Sequence, residues 1–300
     1  MQTVITGATG FVGQNLVPYL KQAGHDITPL SVRGNWQQQL PAHYDAIIHL
    51  AGKAHDVKNT SEASEYFKIN TELTQQLFDR FLQSDARDFI YFSSVKAAAD
   101  SVPDVLTEEV VPAPATPYGQ SKQQAEAYLL ARPLPAGKRL FIIRPCMIHG
   151  PGNKGNLNLL YKFVTKGIPY PLAAFKNKRS YLSVDNLSFV VKELLARPSV
   201  PSGIYNLADD AVLSTNELVT IIGNVLGRKQ RLMAIPQGLL KAMARVGDVL
   251  HLPLSTEKLK KLTENYVVSN RKIKKALNLE QLPVSAAEGL KKTIESFRAA

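Results

Sequence analysis

A chain of 300 residues with 45% apolar side chains is long enough to bury a large core, and it is near the size where a core divides into lobes. Its single cysteine, Cys146, excludes an internal disulfide and fits a reducing cytoplasm; no stretch reaches the roughly 20 apolar residues of a membrane helix, so no integral membrane segment is expected. The net charge of +11 is uneven: residues 1–150 carry 13 Lys/Arg against 14 Asp/Glu, a net of −1, and residues 151–300 carry 23 against 11, a net of +12, which points to a phosphorylated substrate, nucleic acid or an anionic surface.

In chain order, short apolar runs alternate with longer amphipathic ones. Residues 3–6 (TVIT), 26–30 (DITPL), 45–51 (DAIIHLA), 87–94 (RDFIYFSS) and 139–145 (RLFIIRP) read as strands. Between them, 11–23, 62–83 and 117–131 have helical spacing. The repetition predicts a parallel sheet covered on both faces, and right-handed crossovers would make it doubly wound. The start, MQTVITGATG, enters a strand at once and shows no secretory signal. After Pro145 the texture changes: 149–156 reads as loop, and 157–166, 214–227, 237–250 and 285–298 as helices. The basic stretch 257–277 reads as a solvated helical face. Few aromatics interleave its charges, so nucleic acid is not expected as a partner. The histidines, at 25, 43, 49, 55, 149 and 251, form no HExxH or Cys/His cluster, and no metal site is expected.

The first loop carries chemistry. In VITGATGFVG (4–13), Gly7, Gly10 and Gly13 stand between a strand and an amphipathic helix. The first glycine permits the tight turn, the second lets backbone approach a pyrophosphate, and the third lets helix pack on strand. With Phe11 and Val12, the helix start then offers N–H groups to the anion. Dinucleotide binding follows, and the expected fold is a doubly wound Rossmann sheet over 1–150, rejoined around 180–207. A smaller helix-rich C-terminal lobe over 151–300 would hold the substrate. At the end of the second strand Ser31 and Arg33 stand where an acidic residue for the adenosine ribose is usual. A hydroxyl and a guanidinium suit a 2′-phosphate, so NADP(H) is favoured over NAD.

Chance alone supplies about one Tyr-x-x-x-Lys in a chain with this much of each residue, so TPYGQSK (116–122) means little by itself. Thr116 reads as an N-cap and Pro117 as the first helical residue, which puts Tyr118 and Lys122 on one face. A nearby ammonium, with a positive nicotinamide, would lower the phenol's pKa from near 10, so that it can exchange a proton with an alcohol. Ser93 and Ser94 close a strand at the edge where ligands gather, and alternation sends only one of them towards the pocket.

Taken together, these motifs resemble those of the extended short-chain dehydrogenase/reductases, the NAD-dependent epimerase/dehydratase family acting on nucleotide sugars. TGATGFVG is similar to the family's TGxxGxxG, IIHLAG (47–52) to its strand-four motif, and YFKINTELT to N-x-x-x-T, with Asn70 and Thr74. YFSSVKA, PYGQSK, IRPCMIHGPG (with His149 for the usual Tyr) and RSYLSVDNL complete the pattern over almost the whole chain. The resemblance implies Ser94, Tyr118 and Lys122 as catalytic residues. It implies Leu50, Ala51, Gly52, Asn70 and Pro145 as cofactor contacts, besides the loop residues, Tyr118 and Lys122. It also implies Arg179, and more weakly Asn156, at the nucleotide phosphates, with Ser94 on the substrate. One departure stands out: 33–45 is too short for the helix and strand that often frame the adenine, and Trp36 is the candidate to fill the gap.

Within the family, SSVKA, GPGNKGNLNLL and LSTNELV look most like enzymes of bacterial surface-polysaccharide synthesis acting on UDP-linked N-acetylamino sugars. The reading is a cytoplasmic UDP-4-keto-sugar reductase, and the alternative a UDP-sugar 4-epimerase with tightly bound NAD. Val95 and Lys96 stand after Ser94 where a 4,6-dehydratase needs an acidic pair. A non-catalytic cofactor sensor or RNA-binding protein would not need the Ser–Tyr–Lys set. Relatives pair through helices following SSVKA and YGQSK, which implies a homodimer.

Overall fold

The computed structural model of the chain describes residues 1–53, 62–153, 155–250 and 255–299; the side chains of Asn156 and Ala299 lie outside that description. In order, it holds β1 (Gln2–Thr6), α1 (Phe11–Gln22), β2 (Asp26–Leu30), β3 (Ala46–His49), α2 (Ala63–Tyr66), α3 (Leu73–Leu82), β4 (Asp88–Phe92), β5 (Val105–Leu106) and α4 (Pro117–Ala131). There follow β6 (Arg139–Pro145), β7 (Met147–His149), α5 (Asn156–Thr165), β8 (Arg179–Ser183), α6 (Val184–Ala196), β9 (Gly203–Leu207), β10 (Val212–Leu213) and α7 (Thr215–Val225). The chain closes with α8 (Gln237–Leu250), α9 (Thr256–Thr263), β11 (Val267–Val268), α10 (Arg271–Ala276) and α11 (Ala286–Ala299). A π-helical turn, Phe67–Glu72, joins α2 to α3.

Six strands form one parallel sheet in the order β2-β1-β3-β4-β6-β9. Strand alternation fills both faces. Ile5, Ile48, Ile90, Phe92, Phe141 and Ile143 join a core under α1 and α6. Val4, Ile47, Phe89, Tyr91, Leu140 and Ile142 join another with Phe78 and Phe81 of α3 and Leu129 of α4. Continuous burial along these strands, as in DFIYF, is what helices on both faces demand. The strand order reverses between β1 and β3, and such a switch point opens a crevice at the strands' C-terminal ends.

The short 33–45 segment makes a single 3-10 turn and no further strand. Trp36 in that turn is 2% exposed, packed with Val4, Leu30 and Tyr44 in the core. It fills the gap from inside the protein, and is not an open platform for a base. The second half folds as expected in 156–165, 215–225, 237–250 and 286–299, around a third core that includes Val164, Ile222, Leu240 and Ile294. The solvated face expected over 257–277 is instead α9, a strand pairing with β5, and α10, with Leu259, Tyr266 and Ile273 buried.

Candidate active site

The Gly-rich turn leaves β1 at the switch point. Gly7 has φ +69°, and a Cβ there would lie 2.7 Å from the Ala51 nitrogen. A Cβ on Gly13 would lie 2.5 Å from the Gly7 carbonyl oxygen. Both positions therefore exclude any side chain, and the turn lies back to back with Leu50–Gly52. Gly10 caps α1 with no side-chain hydrogen bond, and no acidic residue stands in the first turn. A helix start so bare, with Phe11, Val12 and Gly13 at its head, fits a pyrophosphate. Phe11 approaches Gly150, and Asn15 Nδ2 donates to the Pro151 carbonyl at 3.1 Å, so the 147–153 loop closes over the same edge. Ser31 and Arg33 are exposed just past β2, whose Leu30 pairs with Thr6.

At the ends of β3 and β4 the second half of the site assembles. The paired serines part as alternation requires: Ser93 Oγ donates to buried Glu126, while Ser94 shares a side-chain hydrogen bond with Tyr118. Thr116 caps α4, its Oγ1 accepting from the Gly119 N–H at 3.2 Å, and Pro117 starts the helix. Gly119 is required because a Cβ would meet the Lys96 carbonyl oxygen at 2.4 Å. This close packing holds Tyr118 beside Ser94. Tyr118 is half-buried with its hydroxyl end enclosed, and desolvation pushes its phenol above the ordinary value; the hydrogen bond from Ser94 opposes that shift. Tyr66 meets the Tyr118 ring edge-on, with centroids 6.2 Å apart.

Lys122, 5% exposed, donates to the Phe92 carbonyl at 2.8 Å and stands 4.8 Å from the centre of the Tyr91 ring. Burial lowers its pKa from 10.5 to about 8, with Glu126 acting the other way. The expected depression of the Tyr118 pKa by this lysine is not what this geometry shows. Burial raises the phenol's pKa, and the Ser94 hydrogen bond rather than Lys122 opposes it.

Asn70 and Thr74, which the N-x-x-x-T motif marked, hold this constellation together with His49, Ser121 and Glu126, which the sequence did not single out. Asn70, in the π turn, spends its whole amide: Oδ1 accepts from the Lys53 N–H at 2.7 Å, and Nδ2 donates to the Lys53 carbonyl at 3.1 Å and Ser121 Oγ at 3.0 Å. Its Oδ1 and Lys122 Nζ both close on Gly52. Behind them His49 is fully buried, its pKa lowered to about 3 by desolvation and by Lys122. Thr74 donates to the Asn70 carbonyl at 2.7 Å, so at 3.0 Å it accepts from His49 Nε2–H, and His49 Nδ1 accepts from Thr6 Oγ1 at 2.7 Å. Thr6 in turn accepts from the Ala51 N–H at 3.1 Å. A neutral histidine with one permitted tautomer thus ties the Gly-rich loop to the π turn. Glu126 was legible as the third member of the Tyr118, Lys122 stripe, four residues on. Arg144, 1% exposed, donates to Glu126 from β6.

The remaining candidates lie further out. Pro145 ends β6 opposite Leu207. Arg179 opens β8, and its Nη1 donates to the Lys261 carbonyl at 2.7 Å while Glu264 lies 3.9 Å from Nη2. It is bridged to Tyr266, whose hydroxyl donates to the Ala99 carbonyl at 2.6 Å in the turn behind Ser94. Asn156 begins α5, and the neighbouring Lys154 lies outside the described residues.

A doubly wound sheet with this loop and this Ser–Tyr–Lys set defines a nicotinamide-dependent oxidoreductase fold. The sequence model of the NAD dependent epimerase/dehydratase family matches residues 3–208, and the chain belongs to that family, as an enzyme of the extended short-chain dehydrogenase/reductase type. It is 28% identical to a UDP-glucose 4-epimerase of Vibrio cholerae, over 98% of this chain and 94% of that one. It is 26% identical to the N-acetyl-alpha-D-glucosaminyl-diphospho-ditrans,octacis-undecaprenol 4-epimerase of Escherichia coli O157:H7, over 97% and 94%. The fold matches that of RMD from Pseudomonas aeruginosa, solved with NADPH, with a TM-score of 0.73 at 20% identity over 100% of this chain and 99% of that one. The family is NAD(P)-dependent, and its members include nucleotide-sugar epimerases and reductases.

Proposed function

We propose that this enzyme reduces the 4-keto group of a sugar carried on UDP, of the N-acetylamino type, in the cytoplasmic stage of bacterial surface-polysaccharide synthesis. The observation that carries the reading is the Ser94–Tyr118 hydrogen bond, with buried Lys122 a turn along the same helix. A protonated phenol is an acid, which ketone reduction needs. Ser94 Oγ would hold the C4 oxygen as it gains charge, Tyr118 would give that oxygen its proton, and the buried Lys122 ammonium would stabilise the phenolate left behind. The nicotinamide, when bound, supplies the hydride.

Gly7, Gly10, Phe11, Val12 and Gly13 would hold the cofactor's pyrophosphate. Leu50, Ala51, Gly52, Asn70 and Pro145 would line its nicotinamide half with Tyr118 and Lys122. The exposed pair Ser31 and Arg33, without a carboxylate, supports NADP(H). Arg179 would meet the substrate's phosphates, and Asn156 is the second nucleotide contact. Cys146 is buried with its thiol pushed well up by desolvation, so it plays no part as a nucleophile.

A second reading, 4-epimerisation with retained NAD, has its own support: two relatives that align along nearly the whole chain are 4-epimerases. The E. coli one is named for a sugar diphosphate carried on undecaprenol, which makes a lipid-linked sugar the alternative substrate class. Denaturing the freshly purified protein and identifying released cofactor by mass separates the two. An empty site with reversible NADPH binding is expected. About one NAD per chain would overturn the reductase in favour of the epimerase.

A further inference from the structure

Helix α8 buries one stripe and leaves another bare. Leu240, Ala244 and Gly247 face the lobe's core, yet the adjacent stripe of Leu239, Met243, Val246 and Leu250 is 55%, 49%, 52% and 62% exposed, with Val249 at 76% beside it. Half of the exposed large apolar side chains among the described residues lie between Leu232 and Leu262, which is a concentration that a monomer's surface does not need. The same stretch is strongly basic. Residues 228–262 hold eight Lys/Arg against two Asp/Glu, and both acids are already engaged: Asp248 accepts from Thr256 N at 3.0 Å, and Glu257 pairs with Lys261 at 2.6 Å.

We propose that α8, with the basic start and flank of α9, is a docking face for an anionic lipid bilayer. The geometry is that of an interfacial helix: an exposed apolar arc, with Lys241 and Arg245 on the neighbouring polar arc and Lys258 and Lys260 alongside on α9. Charge complementarity selects this occupant over a second copy of the chain, because two such faces would bring like charge against like charge. The helix is too short and too charged to span, so the contact is peripheral. Arg179 is bonded to the carbonyl of Lys261, so the face lies one residue from the proposed phosphate contact. The enzyme would then work at the membrane surface whichever sugar it takes.

Sedimentation of the full-length protein with vesicles tests this. Vesicles of phosphatidylcholine with phosphatidylglycerol should pellet the protein at low salt, and about 0.5 M salt should release most of it. Met243→Glu with Val246→Glu, and separately Lys241→Glu with Arg245→Glu, should each weaken binding by about tenfold or more. Neither pair touches the candidate site, so turnover of a soluble nucleotide sugar and the melting temperature should stay as in the wild type. No pelleting, equal pelleting with neutral vesicles, or binding unchanged in both variants would overturn the proposal. So would a self-associated form, seen without vesicles by equilibrium sedimentation and lost in the Met243/Val246 variant.

Discussion

Lys122 is a cation kept inside the protein, and its charge state sets what the site can do at a given pH. With its pKa lowered to about 8, it is charged below that value and neutral above it. Turnover should therefore fall as pH rises through about 8, and a pH profile of kcat checks it. Stability runs the other way. The unfolded lysine holds its proton up to about 10.5, so between these values the unfolded chain binds more protons and the Lys122 contribution to stability rises with pH. The difference in melting temperature between wild type and Lys122→Met should grow in the wild type's favour from pH 8 to pH 10. Tyr118→Phe keeps the ring against Tyr66 and removes only the hydroxyl, so kcat should drop by about 10²–10⁴-fold while cofactor binding, followed by fluorescence, persists. The residue types Ser, Tyr and Lys were legible because their spacing is bound to their chemistry. Strand alternation said that only one serine of the pair faces the pocket; that it is Ser94 came from the family resemblance. His49 was not legible, since a histidine in an apolar strand carries no mark of its two threonine partners.

Among the elements, α4 couples the chemistry to the sheet. Tyr118, Lys122 and Glu126 form one stripe, and Glu126 is gripped by Arg144 of β6 and Ser93 beyond β4. Both charges are almost wholly buried, so Glu126→Ala leaves the Arg144 guanidinium uncompensated and should cost about 3–5 kcal/mol in urea unfolding. Glu126→Gln, which keeps a hydrogen-bond acceptor, should cost less; equal losses would show that the carboxylate's charge alone, and not its hydrogen bonds, holds Arg144. The limits of α4 were legible from Thr116 and Pro117. Its buried face was not legible from hydrophobic periodicity, because the stripe that enters the protein is polar; only the Tyr118, Lys122 spacing marks it. The π turn is a similar case: one residue is added to the helical ladder without any change in composition, and Asn70 gains its role only from Lys53 and Ser121 of other segments.

At the scale of the whole molecule, the N- and C-terminal halves of the chain meet behind Ser94. Tyr266 crosses from the C-terminal half to the Ala99 carbonyl, Lys96 lies 4.4 Å from the centre of its ring, and β11 pairs with β5. Tyr266→Phe removes one such tie and should lower stability by about 0.5–1.5 kcal/mol, measured by urea denaturation, with the larger effect on substrate KM. An unchanged stability would mean that these segments are held by packing alone.

What the sequence by itself determined is the local and periodic part of the protein. The five strands of the first half, the Gly-rich turn, the capped start of α4 and the family motifs depend on near neighbours, and local sterics enforce them. What only the tertiary structure decided lies between segments. Trp36 went into the core, and Arg179 was taken up by α9. The Tyr118 phenol was pushed up in pKa, because burial is set by the whole fold.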